Sequence, residues 1–163
     1  GHISMCWQPS TEQNVDELVE RLLRVIEEQG AHRLVIDGLD GLQRATFHAE
    51  RVHHLFSALA NELRTRNVTT LYTYEVPKFI GPDLEAPISG VSALVENLIY
   101  LRFVEKEAQL YRLMALLKVR DVAYDTMPRE FRIEPRGIVV EKTSNSARAL
   151  VSQLSSRKAR TQR

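Results

Sequence analysis

The sequence predicts an α/β fold: a parallel sheet with flanking helices, extended by antiparallel strands. Three observations carry that expectation. In the first half, two amphipathic helical stripes alternate with two short apolar strands, the spacing of right-handed crossovers. A stretch rich in proline and glycine, 76–90, then interrupts the pattern. Beyond it, strands follow one another with no long helix between them.

Each element has a local cause. Residues 11–14 are polar, and Asn14 caps a helix with Glu17 three residues on. Val15, Leu18, Val19, Leu22, Leu23 and Ile26 then form one apolar stripe. Gly30 stops that helix, because glycine tolerates the left-handed turn that follows a last helical residue. Leu34-Val35-Ile36 is a branched run without alternation, so both faces are expected to be covered. Val52, Leu55, Phe56, Leu59, Ala60 and Leu63 mark a second helix, and the Thr- and Tyr-rich segment 69–74 a second strand. Segments 98–104, 110–119, 131–133 and 138–140 read as further strands. Glu105-Lys106-Glu107 and Pro135-Arg136-Gly137 are the turns between them. Residues 147–154 can form a short helix.

Composition narrows the class. Apolar residues are 44% and charged residues 26% of the chain, which excludes a disordered polyelectrolyte. At 163 residues a core can form without disulfides or a structural metal. The one cysteine, Cys6, cannot form an intrachain disulfide and fits a reducing cytoplasm. No apolar run reaches the roughly 18 residues that a membrane helix needs. Gly1–Met5 reads as an expression scar. From Glu141 onward six basic residues face one acid; with a total of +1, that leaves the rest of the chain at net −4. Such a basic tail can meet nucleic acid or an acidic partner, or simply be solvated.

Four features bear on chemistry. Arg33-Leu34-Val35-Ile36-Asp37 places a carboxylate at the carboxyl edge of a parallel sheet, where open α/β sheets bind ligands. One carboxylate with phosphates suits Mg²⁺, and an Asp there also starts turns. Asp40 is expected to cap or turn. Glu75, just past the second strand, lies at the same edge, so two carboxylates can face one site. Lys118 and Arg120 alternate onto one strand face, a pairing suited to an anion such as a phosphate chain, with Asp121 and Asp125 near enough to neutralise them. His48, His53 and His54 lack the spacing of a helical zinc pair, and no nucleophile elbow occurs.

These pieces occur in a recognisable order. Leu34-Val35-Ile36-Asp37-Gly38-Leu39 resembles the Walker B strand of KaiC-like ATPases, and the segment 68–75 resembles that family's next core strand. Residues 90–102 are similar to its G-x-S-x-L-x-D-x-x-x-x-L-R segment. Lys118-Val119-Arg120, Asp125, Arg129-Glu130-Phe131 and Gly137-Ile138 are similar to its K-x-R … R-x-F-x-I-x-x-x-G-I ending. The likeness spans roughly 9–140.

The resemblance implies a partial RecA-like P-loop NTPase core over 6–143, followed by a flexible basic tail over 144–163. It implies ATP bound with Mg²⁺ between subunits, commonly in a hexameric ring. Asp37 would help place Mg²⁺, and Lys118 and Arg120 would reach the γ-phosphate of a neighbouring subunit. Tyr124 falls where the family often carries His near the nucleotide, and Asp121 where it often carries Gly. Asp37, Glu75, Lys118 and Arg120 are thus the candidate catalytic set; Lys118, Arg120 and Tyr124 are the candidate nucleotide contacts. No G-x-x-x-x-G-K-[ST] occurs in these residues, nor a counterpart of the catalytic acid between that loop and Walker B. The chain by itself is therefore expected to be a poor ATPase that exposes apolar surface and self-associates to cover it. A cloned or truncated piece of an ATPase, a loop-less remnant serving as a binding or oligomerisation module, and an unrelated α/β domain are the three readings left open.

Overall fold

A computed structural model describes residues 3–7, 15–44, 49–76 and 94–152. The expected loop over 76–90, the Asn14 cap and the end of the basic tail fall largely or wholly outside the described residues. The described residues divide between two compact units, one running to Glu75 and including Leu94, the other comprising Val76 and 95–152.

In the first unit, α1 (Val15–Gln29) leads to β1 (Arg33–Ile36), and the short α2 (Leu39–Arg44) and α3 (Ala49–Thr65) lead to β2 (Thr69–Tyr72). Both long helices end the same way. Gly30, at φ +59°, donates its amide to Glu27 O, and Ala31 donates to Ile26 O. Asn67, at φ +55°, donates to Arg64 O, and Val68 donates to Leu63 O. Each is the paired-bond closure that satisfies two orphan carbonyls and turns the next apolar residue inward. Ala31 and Val68 accordingly pack with Ile26, Leu59 and Leu63. The chain leaves both helices in step, and β1 and β2 pair in parallel from Arg33↔Thr69 to Ile36↔Tyr72.

The expected stripes are the core. Ile26, Val52, Phe56, Leu59 and Leu63 are buried, against Leu34, Ile36 and Tyr72 from one face of the strands. The expectation that β1 is covered on both faces is not met. Val35 and Leu71, on the other face, remain 63% and 57% exposed. An uninterrupted apolar run thus marks the strand without showing how many of its faces are packed.

The second unit is a four-stranded antiparallel meander, β3 (Asn97–Lys106), β4 (Gln109–Val119), β5 (Arg129–Glu134) and β6 (Gly137–Val140). These are the antiparallel strands expected after the parallel pair, in the order β3-β4-β5-β6. Lys106 pairs with Gln109, so the first turn is Glu107-Ala108, one residue later than the polar run suggested. Both turn residues have positive φ, 52° and 60°, the geometry that matches strand twist in a two-residue hairpin. A bulge shifts the register beside Leu98 and Ile99, leaving Leu117 unpaired on β4.

The short helix expected near 147–154 is present as α4, over 145–152. Ala147 and Leu150 are buried against Val104 and Leu113. Among the described residues no helix is long and apolar enough to cross a membrane.

Leu113 is 1% exposed beneath α4, whereas Leu110 on the same strand is 58% exposed. Leu113→Ala should therefore cost about 2–5 kcal/mol in urea unfolding, and Leu110→Ala within about 0.5 kcal/mol.

Candidate functional site

The carboxylate side of the candidate site is built where β1 and β2 end. After Ile36 the chain reverses through Gly38, whose φ of +86° lies in the left-handed region that glycine enters without strain. That reversal leaves Asp37 exposed at the carboxyl end of β1 and directs Leu39 into the core, where it is buried. Asp40 lies in the first turn of α2, as expected.

The residue that organises this corner is Thr73, next after β2. Its amide donates to Ile36 O at 3.0 Å, and its carbonyl accepts from the Leu39 amide at 2.8 Å. Its hydroxyl oxygen accepts from the Gly38 amide at 2.8 Å and donates to Asp37 Oδ1 at 2.5 Å. The direction is unambiguous. Gly38 N can only donate, so the single hydroxyl proton goes to the carboxylate. Asp37 is exposed, and among the described residues it has no other hydrogen bond or ion pair. Glu75 is exposed two residues past Thr73, and no described contact joins it to Asp37. The two carboxylates share the edge in sequence order, but the group that meets Asp37 is a threonine.

The cationic residues sit in the second unit. Lys118 Nζ donates to Val95 O at 2.8 Å. Arg120 pairs with Glu96 at 3.6 Å, both side chains more than half exposed. Both cations thus turn toward the segment that leads into β3. The bulge at Leu117 contributes to this, since Lys118 pairs with Leu98 and faces the side opposite to Leu116, which pairs with Ile99. Tyr124 donates its hydroxyl at 2.8 Å to the carbonyl of Leu117, the residue that the bulge leaves without a partner on β3. Asp121 adopts φ +61°, so the backbone turn that favours glycine is present with an aspartate in it.

Asp125 does not neutralise these cations. It pairs with Arg129 at 2.6 Å and accepts from the Met127 amide at 2.9 Å. The Arg129 hydrogen bond, followed by that amide, holds its carboxyl below the ordinary aspartate range. Arg129 also donates to the carbonyls of Glu141 and Lys142, tying the chain after β6 to β5. The acid facing Arg120 is Glu96, which stands at the aspartate place of the 90–102 segment.

The profile of the KaiC ATPase family matches residues 3–145. The chain belongs to this family. Circadian clock protein KaiC3 of Synechocystis sp. is 24% identical over 138 residues, covering 85% of this chain. The crystal structure of a KaiC-like protein from the hyperthermophilic archaeon Pyrococcus horikoshii superposes with a TM-score of 0.66 at 27% identity, over 78% of this chain. The chain spans 27% of the length of KaiC3 and 54% of the Pyrococcus protein. The fold is the RecA-type α/β fold of KaiC-like proteins, with a parallel sheet and added antiparallel strands.

The matched family model is that of an ATPase, so the donor set at the carboxylate edge can be weighed against a divalent cation. No group of three or more His, Cys, Asp or Glu able to cage a cation occurs among the described residues. A single oriented carboxylate at the edge is what a Mg²⁺ held largely by water and phosphates requires.

The Asp125–Arg129 pair gives a pH test. A carboxyl whose folded pKa is depressed stabilises the fold above its unfolded pKa, and that contribution disappears as pH falls through the folded value. Arg129→Ala should raise the Asp125 pKa toward the ordinary range in a carbon-detected NMR titration. The stability gap between wild type and variant should narrow as the solution is acidified through that range.

Proposed function

We propose that this chain is the Walker B and finger-bearing part of a KaiC-like ATP-handling domain. Asp37 holds a water of the Mg²⁺ ion. Lys118 and Arg120 reach the phosphates of a nucleotide held by a neighbouring subunit, with Tyr124 in the same turn and Glu75 at the carboxylate edge. The observation that carries this reading is Asp37, exposed at the strand end with one carboxylate oxygen hydrogen-bonded by Thr73. Mg²⁺ supplies charge neutralisation of the phosphate chain when bound. The protein's part is to orient the carboxylate and deliver cations.

Arg120 can be delivered at little cost. The Arg120–Glu96 pair is largely solvent-exposed, and such pairs are worth about 0–1 kcal/mol. A phosphate oxygen competes well for a guanidinium held so weakly. The 163 residues hold no phosphate-binding loop, so the cradle for the β- and γ-phosphates belongs to another segment or subunit. The chain alone is therefore inert toward ATP and acts beside a complete neighbour, in a cytoplasmic assembly.

A second reading, a binding or oligomerisation module, draws on a different observation. Val35 and Leu71 leave the open face of β1 and β2 apolar, and Ile99 and Leu101 do the same for one face of β3, each more than half exposed. Apolar surface of this kind favours association.

Titration with a fluorescent ATP analogue and Mg²⁺ tests the main reading. The chain alone should show no saturable binding up to millimolar nucleotide. Added to an intact KaiC-like ATPase, it should change the hydrolysis rate, and Lys118→Ala or Arg120→Ala should remove most of that effect. Micromolar binding by the isolated chain, weakened by both Asp37→Ala and Lys118→Ala, would show a self-sufficient site and overturn the reading of an inert chain.

A further inference from the structure

We infer that Thr73 is the positioning residue for Asp37: its hydroxyl fixes which carboxylate oxygen is turned to a divalent cation. The inference rests on the proposed role of Asp37 and adds to it a residue that neither the strand-end motif nor the family segments single out.

The geometry is unusually complete for one side chain at an exposed corner. Thr73 contacts four successive residues, Ile36, Asp37, Gly38 and Leu39, through its amide, hydroxyl and carbonyl. The three backbone-directed bonds hold the reversal at Gly38 in place. That reversal alone would leave the Asp37 side chain free to rotate about its first two torsions, because the side chain is exposed and meets no other described group. The hydroxyl removes that freedom. With the Gly38 amide filling its acceptor side, the hydroxyl has one proton to give and one oxygen within reach, Asp37 Oδ1. Oδ2 is then the oxygen left without a hydrogen bond among the described residues, on an exposed side chain.

A divalent cation or its bound water gains from such preorganisation because the carboxylate need not be ordered on binding. Groups that hydrogen-bond a metal ligand in this way typically cost about 10–100-fold in affinity when removed. The present link is exposed and bonds a single oxygen, so the low end of that range applies.

The test uses the whole chain, ¹⁵N-labelled, titrated with Mn²⁺ as a paramagnetic probe and with Mg²⁺ as the diamagnetic control. In wild type, the amides of Gly38, Leu39 and Thr73 should broaden before the rest of the spectrum. Asp37→Asn should abolish that selective broadening. Thr73→Val keeps the side-chain shape and removes the hydroxyl; it should require about tenfold more Mn²⁺ for the same broadening. Thr73→Ser, which restores the donor, should return to within about twofold of wild type. A simple structural role would lower the unfolding midpoint of Thr73→Val without moving its Mn²⁺ dependence, and that result overturns the inference. So does equal binding by Thr73→Val and wild type while Asp37→Asn is silent, an outcome that leaves the role of Asp37 standing. Broadening that survives Asp37→Asn, or the absence of selective broadening in wild type, removes the role of Asp37 and the inference together. Should Thr73→Val not fold, a Thr73→Ala variant that folds carries the same comparison.

Discussion

Pairing Arg33 with Thr69, rather than with a residue one place away, decides which groups meet four residues later at the far end of the strands. A slip of one residue would turn Leu34 and Ile36 out of the core and bring Tyr74 or Tyr72 beside Asp37 in place of Thr73. The register is set by two helix ends. Gly30 and Asn67 both enter the left-handed region, and both deliver a small or branched apolar residue, Ala31 and Val68, into the same cluster. The helices and strands of the first unit are therefore locked by one cooperative arrangement, and the geometry at Asp37 is its consequence.

The second unit reaches its arrangement by a different device. A regular β4 would place Lys118 on the same side as Leu116 and Met114. The bulge at Leu117 moves it to the other side, and Tyr124 donates to the carbonyl of the unpaired Leu117. Tyrosine at this place thus has a structural use in its own chain. Its hydroxyl ties Tyr124 back to β4 across the turn that carries Asp121 at positive φ. Bulges next to functional residues commonly re-aim a side chain in this way.

Much of this was legible in the sequence, and the remainder was not for identifiable reasons. The helical stripes, the strand ending in Asp37 and the hairpin strands all follow from periodicity and punctuation. Thr73 was legible only as one more β-prone residue, since its partner depends on register, and register depends on where two helices end. Gly30 announces such an end; Asn67 does not, because asparagine is common in ordinary turns. The bulge was hidden because Leu116 and Leu117 are both apolar and give no parity signal. The open faces at Val35 and Leu71 were hidden for a related reason: an apolar run shows that a strand is suited to burial, while the covering element lies elsewhere. The helix holding Ala147 and Leu150 was legible, but its burial was not, because the basic residues around it also suit a solvated tail.

The two chemical groups of this chain are held with different firmness, and that difference bears on how they can act. Asp37 is fixed by a hydroxyl whose only proton is committed to it, at the end of a register-locked strand pair. Arg120 is held by one exposed carboxylate at 3.6 Å, a contact that solvent screening leaves weak. Lys118 is partly buried and donates to the Val95 carbonyl at 2.8 Å. A metal carboxylate benefits from being rigid before its ligand arrives, because a small cation tolerates little error in direction. A cation that must follow a phosphate on another subunit benefits from a partner it can leave. The firmness of each group matches the task proposed for it, and the match arises from local contacts that lie within separate units of the chain.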